Sequence, residues 1–436
     1  MIPVLTPAEM KAVDEAATDG VDVLVARAGA AVARSALGRL GGGYGRRVVV
    51  VAGKGNNGAD GRAAAVRLRR RGARVEVLDA AGAPDRLPSC DLVVDAAYGT
   101  GFRGDYAAPD PGAAPVLAVD IPSGVDGLTG EATPGAVRAT WTVTFAALKP
   151  GLLLAGDRTG PVTVADIGLD VSGARMHAVE AADVRARLPP RNRAAHKYAA
   201  AVLVVAGSPG MSGAAALTAG AVLRAGAGYC RLGVPGAGAA AGSGTRAPLV
   251  TEAVEVDLPA DGWSAAALEA CTRMGALAVG PGLGRGGATR ADVCRLLAGA
   301  PVPAVVDADA LHALGTGDEA AAVLAGRGAP TVVTPHNGEF ARLAGRPPGP
   351  DPVAATRALA ALLGATVLLK GPVTVVADPG GEVLLATSGT PVLATAGTGD
   401  VLTGVVAAFL ARGLSPLEAA GLAACAHGEA ARLGHP

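Results

Sequence analysis

The segment Gly53–Gly61, GKGNNGADG, places two amides and a carboxylate, Asn56, Asn57 and Asp60, among glycines, directly after a β-rich run and at the start of a helical one. There, backbone N–H groups and the positive end of a helix are free to meet a phosphate. Gly53, Gly55 and Gly58 satisfy the spacing of a dinucleotide-binding turn, and Asp79 closes the next strand where a ribose-binding acid would sit, so a dehydrogenase is one reading. The amides and the carboxylate exceed what a plain phosphate loop needs, and a tight turn using Asn for left-handed backbone is the blander alternative. Three more oxygen-rich loops follow strands: Val94–Asp105, Val119–Gly127 and Phe145–Gly151. In a parallel sheet such loops converge at the carboxyl ends of the strands. Asp95, Asn57 and Ser123 then form a hard, oxygen-only set suited to an alkali or alkaline-earth cation. Asp120 closes the strand Val116–Asp120 and could cap the following turn, and Lys149 lies in the last of these loops.

A second chemical segment lies near the other end, in TAGTGDVLTGVVAAFLARG, Thr395–Gly413. Gly397 and Gly399 open a helix whose free N–H groups face an anion, with Asp400 beside them as a base or, more plainly, as an exposed cap. Lys370, Gly371, Pro372, Val373 and Thr374 put a lysine next to a backbone-rich turn, a phosphate site in outline.

The elements that must position these residues follow from the pattern. Thr6-Pro7-Ala8-Glu9 is a capping box that starts a helix at about Pro7, and Ser415-Pro416-Leu417-Glu418 repeats the device. Between them β-rich runs alternate with Ala-rich helical stretches. The first set is Arg47–Ala52, Val75–Leu78, Leu92–Asp95, Val116–Asp120 and Trp141–Phe145. The second is Ala201–Ala206, Tyr229–Val234, Ala276–Gly280, Ala304–Asp307, Thr331–Thr334, Val367–Lys370, Thr374–Ala377 and Val383–Ala386. This alternation predicts an α/β fold with mostly parallel sheets. The charged stretch Asp170–His196 reads as the junction between two domains, 1–175 and 176–436.

Composition narrows the classes further. The chain of 436 residues has 38 basic and 38 acidic side chains, so no global field favours nucleic acid or a membrane surface. A basic cluster around Arg67–Arg74 lacks aromatic platforms and complements a helix end instead. Aromatics make up only 3% while glycine occurs 64 times, so backbone must supply much of any site. Lysine occurs five times against 33 arginines, and Lys54, Lys149, Lys197 and Lys370 fall in or beside candidate sites while Lys11 looks incidental. Five scattered cysteines and an amino terminus without a signal pattern predict a reduced, cytoplasmic protein. His177, His196, His427 and His435 fall outside metal-ligand spacing and read as surface or core residues.

GKGNNGADG, VDAAYGTG, VDIPSGVDG and KPG resemble, in order, the motifs of the NAD(P)H-hydrate epimerase domain, over about residues 5–170. The resemblance implies a Rossmann-like three-layer domain. Asn56, Asn57, Gly58, Ala59, Asp60, Gly99, Thr100, Gly101, Phe102, Arg103, Gly104, Asp105 and Asp120 would contact the hydrated nucleotide, and Asn57, Asp95 and Ser123 would hold K⁺. Ala59 stands where that family usually has a third glycine. Over about residues 185–430, the Thr395–Gly413 segment joined to GSPGMSGAAALTAGAVLRAGAG, VGPGLG, DADAL, TPHNGEF and KGPVT resembles the ADP-dependent NAD(P)H-hydrate dehydratase, a ribokinase-like α/β domain. That implies Ala214, Gly282, His336 and Asp400 on the hydrate, Lys370 to Thr374 and Gly399 on ADP, and Mg²⁺ with the phosphates. Tyr198, His312 and Asn337 depart from that family's usual Gly, Asn and Pro. The implied activity is repair of hydrated NADH and NADPH, by epimerisation at carbon 6 and then dehydration of the S form, with Asp120 as the acid/base candidate of the first step and Lys149 stabilising charge nearby. A vitamin or sugar kinase with a binding module in front is the rival reading. No nucleic-acid or membrane partner is expected, and a homo-oligomer is compatible with everything above.

Overall fold

The computed structural model describes residues 1–102, 104–191, 193–237 and 249–434. Arg103 and His435, both singled out above, lie outside the described residues. The chain divides into two compact units, residues 2–175, and residues 176–436 together with Met1.

The first unit is built on a six-stranded parallel sheet, in the order Arg74–Asp79, Arg47–Ala52, Leu92–Ala96, Val116–Val119, Trp141–Phe145 and Val162–Ala165. Its central strands are Val-rich and buried along nearly their whole length, as strands covered on both faces must be. The helix Pro7–Glu15 starts as its capping box requires: Thr6 Oγ1 accepts the Glu9 N–H at 3.2 Å and Glu9 Oε2 accepts the Thr6 N–H at 2.7 Å. The helix Val21–Leu40 lies against Asn56–Arg70 so closely that a Cβ added at Gly29 would fall 2.5 Å from the Ala63 methyl. Small side chains here set how near two helices can come, and so where the asparagine loop sits.

In the second unit the strands run in the order Met176–Val179, Val383–Ala386, Thr374–Ala377, Thr366–Leu369, Thr331–Val333, Ala304–Val306, Ala276–Val279, Ala201–Val205, Tyr229–Pro235 and Val254–Leu258. Only Thr374–Ala377 is antiparallel to its neighbours. The helices Ser212–Arg224 and Thr398–Ala411 pack over this sheet in an alanine-rich core that includes Ala219, Val222, Val406 and Ala407. Gly404 makes their contact possible, since a Cβ there would lie 2.4 Å from the Thr218 carbonyl oxygen.

Two expectations need correction. The stretch Asp170–His196 is not merely a junction: it contains the strand Met176–Val179, paired with Val383–Ala386, and the helix Ala181–Arg187, closed by a Glu180–Asp183 capping box. Met176, Ala178 and Val179 are buried, and four residues among charges carry too short a signal to stand out. The strand Val254–Leu258 was equally hidden, because as a sheet edge it exposes most of its residues.

Candidate active sites

In the first sheet the strand order reverses between Arg47–Ala52 and Leu92–Ala96, and a parallel α/β sheet opens a crevice at such a point. The asparagine loop leaves one of these strands and the loop carrying Tyr98 and Gly99 leaves the other. Their fit is backbone on backbone: a Cβ at Gly53 would fall 1.8 Å from the Ala97 carbonyl oxygen, and one at Gly58 1.9 Å from that of Gly53. Ala59 sits within the helix turn, its N–H donating to the Gly55 carbonyl at 3.1 Å, and does not line the crevice.

Beneath the loops an oxygen cluster forms. Asp95, 2% exposed, accepts the Ser123 hydroxyl at 2.7 Å and the Ser123 N–H at 2.8 Å. The Tyr98 carbonyl accepts both the Asn57 amide at 2.9 Å and the Ser123 hydroxyl at 3.2 Å. Asn57 Oδ1 is buried with no hydrogen-bond donor beside it. A buried acceptor without a donor, next to a carboxylate, a carbonyl and a hydroxyl, suits a hard cation and no thiolate metal. Burial pushes the Asp95 carboxyl up to about 6 against the Ser123 and Ala97 hydrogen bonds.

Asp120 follows the strand Val116–Val119 with left-handed backbone, φ 64°. Its Oδ1 accepts from Lys149 Nζ at 2.6 Å and from Thr144 Oγ1 at 2.9 Å. Lys149 is 1% exposed and also reaches the Thr144 hydroxyl and the Phe145 carbonyl. Lys149 and Asp120 thus form a direct ion pair.

Asn57, Tyr98, Asp120, Phe145 and Lys149 line a cavity of about 760 Å³, whereas Asp95, Ser123 and Thr144 lie behind its wall. Of the residues expected there, Asn56, Asn57, Asp60, Gly99, Thr100, Gly101, Phe102 and Asp120 line it, whereas Gly58, Ala59, Gly104 and Asp105 do not. Asp79 also stays outside, accepting the Ala81 N–H at 2.9 Å, so it does not serve the cavity as a ribose-binding acid. The ring of Tyr98 leans on Phe102 at a centroid distance of 4.3 Å and meets Tyr106 edge-on at 5.0 Å, which pins this rim.

Sequence reasoning missed Asp14, which enters the cavity from the first capped helix. Its carboxyl is raised by burial and by Asp120, against the pull of Lys149. Asp60 is raised further, to about 8, by burial and then by the charges of Asp120 and Asp14.

In the second unit the order reverses between Ala201–Val205 and Ala276–Val279. There Ser208 Oγ donates to the Gly282 carbonyl at 2.9 Å, and a Cβ on Gly282 (φ 68°) would touch the Ala214 methyl at 3.0 Å. Ala214 and Gly282 are thus neighbours. Farther along the same strand ends, Lys370 Nζ donates to Asp307 Oδ1 at 2.8 Å and lies 3.8 Å from Glu339 Oε2. The Thr403 hydroxyl occupies Asp307 Oδ2 at 2.7 Å, tying the helix Thr398–Ala411 to this cluster. A Cβ at Gly399 would lie 3.7 Å from Lys370 Nζ, so the glycine loop and the lysine face one another. Burial pulls the Lys370 ammonium down, but Asp307, Glu339 and Asp400 outweigh it and raise it. Asp400, in the first turn of that helix, is raised to about 6 by burial and by Asp307, against Lys370.

His336 caps the helix Asn337–Ala344, its Nδ1 accepting the Gly338 N–H at 3.0 Å, and its backbone bridges to Lys370. Asn337 occupies the first helical position, one that proline also fills without losing a helix bond. Thr374 opens the strand Thr374–Ala377 beyond the Gly371-Pro372-Val373 turn. Asp307, the partner of Lys370, opens the DADAL motif, whose sequence alone assigns it no role. Lys197 is a correction: it precedes the strand Ala201–Val205 and so lies at the end of the sheet opposite Lys370, its ammonium 5.1 Å from the ring centroids of Tyr198 and Tyr229. Among the described residues no group of three or more His, Cys, Asp or Glu side chains forms a metal site, and no helix is long and apolar enough to cross a membrane.

Comparison with known proteins follows the same division. Residues 202–435 match the family model described as NAD(P)H-hydrate dehydratase, and residues 21–90 and 79–151 match the YjeF-related protein N-terminus. A bifunctional NAD(P)H-hydrate repair enzyme of Mycobacterium tuberculosis is 42% identical over 420 residues, covering 89% of this chain and 84% of that one. One of the same name from Moorella thermoacetica is 38% identical over 446 residues, covering 88% and 82%. The solved ADP/ATP-dependent NAD(P)H-hydrate dehydratase of Bacillus subtilis, co-crystallised with ATP and Mg²⁺, is 30% identical with a TM-score of 0.47, covering 57% of this chain and 86% of that chain. The chain belongs to the family of bifunctional NAD(P)H-hydrate repair enzymes.

Proposed function

We propose that residues 1–175 interconvert the R and S hydrates of NADH and NADPH at carbon 6, and that residues 176–436 dehydrate the S hydrate at the expense of ADP. The observation that carries this reading is the presence of two separate carboxylate-and-lysine centres, Asp120 with Lys149 and Asp400 near Lys370, each at the strand-order reversal of its own sheet or along the same strand ends.

In the first centre the nucleotide lies along the cavity-lining residues Asn56, Asn57, Asp60 and Gly99–Phe102, with Asp120 towards the reacting ring. The oxygen set of Asn57, Asp95 and Ser123 fits K⁺, which would fix the two loops and supply positive charge near the phosphates. In the second, Ala214, Gly282 and His336 hold the hydrate while Lys370 to Thr374 and Gly399 hold the nucleotide. Asp400 takes the proton of the carbon 6 hydroxyl as its oxygen attacks the terminal phosphorus of ADP and AMP leaves. Loss of phosphate from carbon 6 and of a proton from carbon 5 then forms the ring double bond. Lys370 and the backbone N–H groups at the start of the helix Thr398–Ala411 balance the phosphate charge. Mg²⁺ would accompany the nucleotide beside Lys370 and help neutralise its phosphates. Five unpaired thiols fit a reducing, cytoplasmic setting.

The test is to supply purified protein with mixed hydrate epimers, with ADP, with ATP or with neither, and to follow both epimers and the reduced nicotinamide by chromatography. Consumption of both epimers with ADP and equilibration without it are the expected results. A stable phosphorylated product would instead establish a kinase.

A further inference from the structure

Three carboxyl groups from three different elements meet in the first cavity: Asp14 from the helix Pro7–Glu15, Asp60 from the helix Asn56–Arg70, and Asp120 from the end of a strand. They are not equivalent. Asp120 has a committed ammonium partner, Lys149, and a hydroxyl donor, Thr144. Asp60 is 8% exposed and is the carboxyl in this cavity whose environment adds only like charge, from Asp120 and Asp14. Of the two cations lining the cavity, Lys149 is spent on Asp120, and Lys54 lies in the turn before the helix that carries Asp60.

Inverting a carbon that bears both a ring nitrogen and a hydroxyl calls for an acid on the departing oxygen and a base on the arriving one. We infer that Asp60 is the proton donor of the epimerisation and Asp120 its partner base, with Asp14 a positioning residue that keeps the donor charged with its proton; this rests on the epimerase reading of the first unit. In one direction the Asp60 carboxyl protonates the carbon 6 hydroxyl, the C6–O bond breaks and water leaves, while the lone pair of the ring nitrogen forms the N1=C6 bond. A water molecule then adds to the other face of carbon 6, the nitrogen regains its pair, and Asp120 accepts the proton released. The return passes through the same states with the two acids exchanged, so no external reductant or oxidant is needed. A carboxyl raised to about 8 is mainly protonated at neutral pH, which supplies the acid in the form the step needs.

The experiment uses the full chain and a single epimer in water enriched in oxygen-18. Each inversion should bring in one solvent oxygen. Asp60→Asn should slow interconversion by about 100-fold or more, while Asp60→Glu, which keeps an acid, should retain an intermediate rate. Asp14→Asn should lower the upper apparent pKa of the pH–rate profile, a readout that loss of packing alone would not move. The dehydration of the S epimer with ADP is measured in the same samples as a control on the second unit. Full activity of Asp60→Asn, or inversion with the original oxygen retained, overturns the assignment alone. An unmodified chain that leaves both epimers at the spontaneous rate overturns the epimerase reading beneath it. The oxygen label needs no variant, so a poorly folding substitution does not remove the test.

Discussion

The two centres share a lysine and an aspartate but pair them differently. In the first, Lys149 is bonded directly to Asp120, the carboxylate proposed as the base. In the second, Lys370 is bonded to Asp307, which is 1% exposed, while Asp400 remains outside the pair and is raised to about 6. The difference fits the chemistry proposed for each. A carboxylate that moves a proton at a fixed place in a cavity profits from a fixed counter-charge. A lysine placed to meet a polyphosphate is instead held by a third residue, leaving the proposed base to gain and lose its proton near pH 6.

This comparison is broken most directly by crossed substitutions. Asp400→Asn should lower dehydration by about 10²–10⁴-fold and spare epimerisation, while Asp120→Asn should do the reverse. A chromatographic assay of both steps in each variant checks the pattern, and loss of both activities in either variant would show that the centres are not independent. Next in size, Lys149→Met leaves a largely buried carboxylate without its ammonium, and should cost about 3–5 kcal/mol in denaturant unfolding as well as activity. Lys370→Met should act mainly on the nucleotide, raising its KM by about 10-fold or more as a charge-assisted phosphate contact is lost. The pH profiles should sharpen the contrast further. A base works when deprotonated, so dehydration should fall as pH drops through about 6, where Asp400 gains its proton. An acid works when protonated, so epimerisation should fall as pH rises through about 8, where Asp60 loses it. The smallest effect is expected from the cation. Replacing K⁺ by a bulky organic cation should lower the melting temperature and the epimerisation rate modestly, and Asn57→Ala should abolish that sensitivity, read by thermal unfolding in each salt.

Much of this arrangement was legible in the sequence because strand, loop and helix starts coincide with unusual residue types. Asn57 and Ser123 follow two strands and Asp95 lies at the end of a third, and a parallel sheet brings such positions together whatever lies between them. Asp14 was not legible. It sits on an amphipathic helix among Glu9, Lys11 and Glu15, and nothing local separates a carboxyl facing a cavity from one facing water. Asp307 was hidden for the opposite reason: DADAL marks a strand end, but its partners Lys370 and Thr403 lie 63 and 96 residues away. The lysine count pointed to two ion-paired lysines, Lys149 and Lys370, and to Lys54, which lines the first cavity, whereas Lys197 sits over two tyrosine rings at the far end of the second sheet from Lys370.

The left-handed backbone of Asp120 limits which experiments and which histories the position can bear. With φ at 64°, most side chains would be strained, by about 1–3 kcal/mol, whereas Asn tolerates the conformation and glycine suffers no clash. An alanine scan would therefore mix a folding defect into a chemical one there. In a library selected only for soluble abundance, Gly and Asn at this position should outlast Ala and Val, and selection for turnover should leave Asp standing alone. Two sieves act on one residue, and the first of them is indifferent to catalysis.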